Sequence, residues 1–164
     1  MKVLAADITT LDVDAIVNAA NEGLARGGGV CGAIFRAAGP QLVEACAAQA
    51  PCPTGAARIT PGFAAKARWI VHAVGPIWQG GTQNEAALLA SAYRSALQTA
   101  ADAGARSIAF PAISTGIYGY PREAAAAVAV RTVREWLDSC AKPIDVIFCA
   151  FTDEDAALYR GLVR

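Results

Sequence analysis

Two stretches of this 164-residue chain hold residue types suited to chemistry and break an otherwise regular pattern. The first runs from Asn18 through Asn21 into a glycine cluster, Gly27-Gly28-Gly29-Val30-Cys31-Gly32. The second is Pro111-Ala112-Ile113-Ser114-Thr115-Gly116-Ile117-Tyr118-Gly119-Tyr120-Pro121. Glycines in such loops let the main chain approach a ligand and turn its N–H groups inward, which suits an anionic group and needs no net positive charge. The Asn21 carboxamide could orient a hydroxyl or a water, and Cys31, ahead of a helix, is the candidate nucleophile because a helix N-terminus can lower a thiol pKa.

Several familiar templates do not fit. Gly27, Gly29 and Gly32 have G-x-G-x-x-G spacing. A dinucleotide fingerprint, however, should follow its strand directly and have an acid about twenty residues on, and neither condition holds. Nothing matches G-x-x-x-x-G-K-[ST]. Four residues separate Cys31 from Arg36 instead of the five of a cysteine-phosphatase loop, so covalent cysteine chemistry is not expected. The one histidine, His72, sits in Ile70-Val71-His72-Ala73-Val74 and has no partners for a metal site; it reads as a buried strand residue. Five cysteines, Cys31, Cys46, Cys52, Cys140 and Cys149, form no C-x-x-C pair and are expected to be reduced thiols.

The elements that must position these loops follow from the apolar pattern. Nearly continuous β-rich runs lie at Met1–Ala6, Val13–Val17, Trp69–Val74, Ser107–Phe110 and Ile144–Phe151, as expected of strands buried on both faces. Helical stretches alternate with them at Gly32–Ala38, Gln41–Gln49, Asn84–Ala103, Arg122–Ser139 and Asp153–Leu162. Gly104 ends one helix, Pro121 precedes another, and Thr152-Asp153-Glu154-Asp155 supplies a cap with acids behind it. The alternation predicts an α/β domain, with a mixed central sheet sandwiched between helices as three α/β/α layers. Both glycine-bearing loops then fall at the carboxyl edge of the sheet, where open α/β sheets bind ligands.

Composition sets the outer bounds. A hydrophobic fraction of 55%, with alanine the commonest apolar residue and aromatics only 7%, predicts one closely packed domain over residues 1–164. Fourteen basic residues balance fourteen acidic ones, so no net field would draw a phosphate polymer or a membrane surface. No nucleic acid and no membrane partner is expected. With no leader-like or membrane-spanning run, a cytoplasmic monomer is the expectation.

Five motifs in order, Ala6-Asp7-Ile8-Thr9, Asp14-Ala15-Ile16-Val17-Asn18-Ala19-Ala20-Asn21, Gly27-Gly28-Gly29-Val30, Val71-His72-Ala73-Val74-Gly75-Pro76 and Pro111–Pro121, resemble the macro domain family, in particular its ADP-ribosyl hydrolase branch. The resemblance implies an ADP-ribose pocket with no cofactor and no metal. It assigns Asp7 to the adenine amino group with Ile8 beside it, and Phe151 to stacking on the base. Gly27, Gly28, Gly29, Val30 and Cys31, with Ser114, Thr115, Gly116, Ile117 and Tyr118, would wrap the diphosphate and distal ribose, Tyr118 acting as an aromatic lid. Asn21 would position the water that cleaves the distal ribose from a protein carboxylate. Asn18 is expected to tie the strand end to a neighbouring loop.

The hydrolase loop usually reads G-G-G-V-D-x-A-I-H; here Cys31 and Phe35 replace the aspartate and the histidine. The implied activity is therefore slow hydrolysis of mono-ADP-ribose from acidic side chains, or deacetylation of O-acetyl-ADP-ribose, through a positioned water. ADP-ribosylated proteins or O-acetyl-ADP-ribose are the implied partners. A non-catalytic ADP-ribose reader is the alternative.

Overall fold

The computed structural model describes residues 1–164 as one six-stranded sheet covered by helices on both faces. The strands are β1 (Lys2–Ala5), β2 (Ala15–Ala20), β3 (Ala57–Pro61), β4 (Trp69–Val74), β5 (Ser107–Phe110) and β6 (Asp145–Ala150). They lie in the order β1-β6-β5-β2-β4-β3, all parallel except β3, which runs antiparallel to β4. The helices are α1 (Gly29–Ala38), α2 (Gln41–Gln49), α3 (Glu85–Asp102), α4 (Arg122–Ser139) and α5 (Asp153–Val163).

Side-chain alternation along the strands divides the core in two. Ile16, Ala20, Ile70, Val74, Ala109 and Cys149 pack with Ile34, Phe35, Leu42 and Cys46 of α1 and α2. Val17, Val71, Ile108, Phe110 and Phe148 point the other way, against Leu89, Tyr93 and Leu97 of α3, Val133 of α4 and Tyr159 of α5. The three-layer α/β/α expectation from the sequence holds. Alanines at the helix contacts, among them Ala92, Ala96, Ala125, Ala126 and Ala129, are buried and let α3 and α4 lie close to each other and to the sheet.

Element boundaries differ from the sequence reading in ways that matter for the site. The second strand is Ala15–Ala20 instead of Val13–Val17, because Asn18, Ala19 and Ala20 pair in register with His72, Ala73 and Val74. Cross-strand pairing overrides the weak β propensity of asparagine and alanine. The first long helix starts at Gly29, not Gly32, so Gly29, Val30 and Cys31 form its first turn. Strand β3 was not expected: it is short, carries few apolar residues, and its Pro61 suits an edge strand lacking one ladder donor. Other signals act as read. Gly104, at φ +87°, stops the chain after α3, and the Thr152 hydroxyl accepts from the Asp155 amide at 3.2 Å.

Candidate functional site

Asp7, Asn21 with the glycine cluster, Ser114–Tyr118 and Phe151 follow the carboxyl ends of β1, β2, β5 and β6, and the sheet itself opens there. Strand β2 pairs with β4 along all six of its residues but with β5 only at Ala15–Ile108 and Ile16–Ala109. Beyond Ile16 the β2 and β5 ladders part. The chain also doubles back at this seam: it leaves β2 toward the β4 and β3 side and returns through α3 to β5. A topological switch point with diverging strands is where an open α/β sheet offers a crevice.

The first loop leaves β2 at Asn21. Its Nδ2 donates to the Ala25 carbonyl and its Oδ1 accepts from the Ala25 amide, both at 3.0 Å. Main-chain polarity thus fixes the orientation of the carboxamide. Each of its atoms keeps one further hydrogen-bonding position, so the loop can stay closed while the side chain engages a ligand. Leu24, at φ +51°, is 3% exposed and anchors the turn from inside. Gly27, Gly28 and Gly29 are exposed and lead into α1, where the amides of Gly29, Val30 and Cys31 have no intrahelical acceptor. A methyl group at Gly28 would meet nothing within 4 Å. Unpaired amides at a positive helix end are an arrangement able to take an anion.

The second loop is held from beneath. Ser114, at φ +69°, is buried with its hydroxyl against Gly75, where an added Cβ would stand 2.2 Å from Ser114 Oγ and 2.5 Å from Ile113 Cγ2. The Trp78 amide donates to the Tyr118 carbonyl at 2.8 Å, and the Trp78 ring packs on Tyr120 at 4.6 Å between centroids. The Thr115 hydroxyl donates back to the Ala112 carbonyl at 3.2 Å. Ile117 at the tip is wholly exposed, Gly116 faces open space, and Tyr118 is half-buried. Partial burial, and after it the charges of Glu22 and Cys31, pushes the Tyr118 phenol up from its ordinary value.

Beside the seam, β1 and β6 end together, the Ala6 amide donating to the Ala150 carbonyl at 3.0 Å. Asp7 caps the short 3₁₀ turn Ile8–Thr10: its Oδ1 accepts from the Thr9 amide at 2.9 Å and the Thr9 hydroxyl at 2.7 Å. Those bonds, the hydroxyl first, hold its carboxyl below the usual carboxylate range and leave the second oxygen without a partner. Ile8 is buried. Phe151 is 91% exposed at the end of β6, so it is no core residue.

Asn18 does not tie the strand end to a loop. It lies within β2, 1% exposed, and its Nδ2 meets His72 Nδ1 at 3.1 Å. On the other side His72 Nε2 meets Thr60 Oγ1 at 2.9 Å and Cys46 Sγ at 3.6 Å. Burial drives the imidazole pKa down to about 4 and the Cys46 thiol up to about 11, so this cluster beneath the first loop is neutral. Cys31 and Phe35 are both buried in the apolar cluster under α1, and no acid lies in the first turn of that helix.

Sequence reasoning also passed over Glu85. Its carboxylate accepts from the amides of Gln79 and Gly81 at 3.0 and 2.8 Å, and from that of Gln83. Burial pushes that carboxyl up, but these amides outweigh it and hold the pKa low. Glu85 thereby shapes the turn after Trp78; the signal was an acid following Asn84 at a helix start. No group of three or more His, Cys, Asp and Glu side chains stands close enough to hold a metal ion, and no helix is long and apolar enough to cross a membrane.

Comparison with known proteins gives the same answer from three directions. The family model described as Macro domain matches residues 17–129. A macro domain-containing protein of Ralstonia nicotianae is 59% identical over 160 residues, covering 98% of this chain and 92% of that one. A protein of Enterobacter cloacae named O-acetyl-ADP-ribose deacetylase is 53% identical over 165 residues, with 98% and 92% covered. Among solved structures, the Trypanosoma brucei macrodomain in complex with ADP-ribose is 38% identical with a TM-score of 0.92, covering 99% of this chain and 68% of that one.

Proposed function

The chain belongs to the macro domain family, and on that premise we propose that it binds ADP-ribose in the crevice between β2 and β5 and hydrolyses an acyl ester carried on the distal ribose. O-acetyl-ADP-ribose and mono-ADP-ribose joined to acidic protein side chains are the two substrates considered; the relative named as a deacetylase favours the first. The observation that carries the reading is the seam where the β2 and β5 ladders part, with β2 leading into the unpaired amides of α1 and β5 into the Ser114–Tyr118 loop.

In this reading the free oxygen of Asp7 accepts from the adenine amino group, with the Ile8 main chain beside it, and the exposed Phe151 ring stacks on the base. The amides of Gly27 to Cys31 hold the diphosphate, and Ser114, Thr115, Gly116 and Ile117 close over it from the other loop. Tyr118 covers the distal ribose. The remaining N–H of Asn21 then donates to a ribose hydroxyl, and its remaining lone pair accepts from a water aimed at the acyl carbon. Positioning lowers the barrier by fixing the attack geometry, whereas a missing general base forfeits about 10²- to 10⁴-fold in rate. With Cys31 and Phe35 in the apolar cluster, turnover is slow.

That same burial favours a second reading, a binding module without turnover, since no acid stands in the first turn of α1. Hydrolysis of O-acetyl-ADP-ribose and of a glutamate-linked mono-ADP-ribosylated protein, followed by mass spectrometry, separates the two. Turnover by the parent chain with a loss of about 10²-fold in Asn21→Ala supports the enzyme. Tight ADP-ribose binding in calorimetry with no turnover supports the reader, and no binding at all overturns both.

A further inference from the structure

We propose that Glu22 is the positioning residue for Asn21, acting through a clasp with Thr54 that fixes the start of the first loop; its effect on turnover rests on the hydrolase reading above. Glu22 follows Asn21 directly and is bound at both ends. Its carbonyl accepts from the Cys52 amide at 2.8 Å, and its Oε1 accepts from the Thr54 hydroxyl at 2.8 Å and the Thr54 amide at 3.2 Å.

The segment on the other side of the clasp is itself immobilised. Cys52 is fully buried. The Gly55 amide donates to the Val74 carbonyl at the end of β4 at 2.7 Å. The Gly55 carbonyl accepts from the Ser91 and Ser95 hydroxyls of α3 at 2.8 and 2.9 Å. A continuous run of hydrogen bonds therefore leads from α3 through Gly55 and Thr54 to the residue adjoining Asn21.

An exposed carboxylate normally gains little from a fixed geometry, because it exchanges water for partner at nearly equal free energy. Glu22 is exposed and yet gives two acceptor contacts from one oxygen to the same residue, while its backbone is held independently. That is the arrangement of a local clamp, and charge-assisted bonds of this kind are the stronger ones. The Asn21 side chain closes on Ala25, three residues past the clamp, so any swing of Glu22 would carry the carboxamide with it. A carboxamide that aims a water needs its position held to within about 0.5 Å. The second Glu22 oxygen has no hydrogen-bond partner.

The test uses the full chain and four variants, Glu22→Ala, Glu22→Gln, Thr54→Val and the Glu22→Ala/Thr54→Val pair. For O-acetyl-ADP-ribose hydrolysis, Glu22→Ala is expected to lower kcat about 10-fold with KM within about 3-fold. Thr54→Val should act in the same direction and less strongly, and the pair should be no worse than Glu22→Ala. Glu22→Gln keeps the acceptor oxygen and should recover most of kcat. Amide hydrogen exchange at Cys52 and Ala25 should quicken in Glu22→Ala and not in Glu22→Gln, a readout that stands even where the parent chain shows no turnover. Parental exchange at both amides in Glu22→Ala overturns the clasp. So does Glu22→Gln as impaired as Glu22→Ala beside an unaffected Thr54→Val, which would assign the effect to the charge itself.

Discussion

The two loops that flank the seam are held in different proportions by hydrogen bonds and by packing. Residues 21–31 rely mainly on exposed or half-buried polar bonds, Asn21 to Ala25 and Glu22 to Thr54, beside a buried polar cluster of Asn18 on β2, His72 on β4, Thr60 on β3 and Cys46 on α2. Residues 111–120 add close packing to their main-chain bonds: Ser114 lies against Gly75, Tyr120 against Trp78 and Ile113 in the core, while the amides of Trp78, Gly119 and Tyr120 donate to the carbonyls of Tyr118, Gly116 and Ser114. A loop tuned by hydrogen bonds can change its ligand geometry for small free-energy changes, whereas a packed loop tolerates almost none, because interiors are close-packed and respond to a single methyl group. In the proposed reading the first loop carries both the diphosphate amides and Asn21, and the packed second loop closes over the distal ribose.

The sharpest way to break the packed side is Gly75→Ala. The new methyl would overlap Ser114 Oγ and Ile113 Cγ2, and neither is the far end of a flexible chain. Overpacking of this kind should destabilise the fold by about 3 kcal/mol in urea unfolding and abolish ADP-ribose binding. Stability within about 0.5 kcal/mol of the parent would show that the second loop is not packing-limited.

Acid should weaken the footing of the polar side to a similar extent. His72 has its folded pKa lowered to about 4 from an ordinary 6.5, so between those values the unfolded chain binds a proton that the folded chain refuses. Stability is fully present above pH 6.5 and falls as pH drops toward about 4, by roughly 3 kcal/mol in all at about 1.4 kcal/mol per unit. Denaturant midpoints measured between pH 7 and 5 should show that slope, and it should vanish in His72→Asn. An equal slope in both chains would place the proton uptake elsewhere.

Smaller effects sharpen the contrast. Trp78→Ala keeps the main-chain bond to Tyr118 but removes the ring from Tyr120. It should raise KM about 10-fold through a loosened second loop, with kcat nearly unchanged, since the chemistry belongs to the other side. A fall in kcat alone would reverse that division of labour. Smallest of all, Cys31→Asp should raise kcat about 5-fold by restoring an acid in the first helical turn, where the helix end favours negative charge. Phe35 is buried among apolar side chains, so a histidine there would add an unsatisfied polar group, and the single substitution is the cleaner measurement. An unchanged rate would mean that the thiol at this position already suffices.

Much of this was legible in the chain. The order of strands and helices followed from apolar runs and punctuation, and helices α2 and α4 were placed to the residue at Gln41–Gln49 and Arg122–Ser139. The glycine-bearing loops were found because glycine clusters between a strand and a helix have few other uses. What escaped was whatever depended on a partner far along the chain. Strand β3 exists because β4 offers it a ladder, and Asn18 is a strand residue because His72 lies opposite.

By itself the sequence determined the kinds of elements, the edge of the sheet that carries the loops and the residue types available there, because periodicity and local propensity act over a few residues. Only the tertiary structure decided that the β2 and β5 ladders part after Ile16, that Asn21 closes on Ala25 while Glu22 is clasped by Thr54, and that Gly75 leaves room for Ser114 and nothing more. Those are contacts between segments up to tens of residues apart, and their geometry is fixed by packing and hydrogen-bond satisfaction that no local pattern encodes.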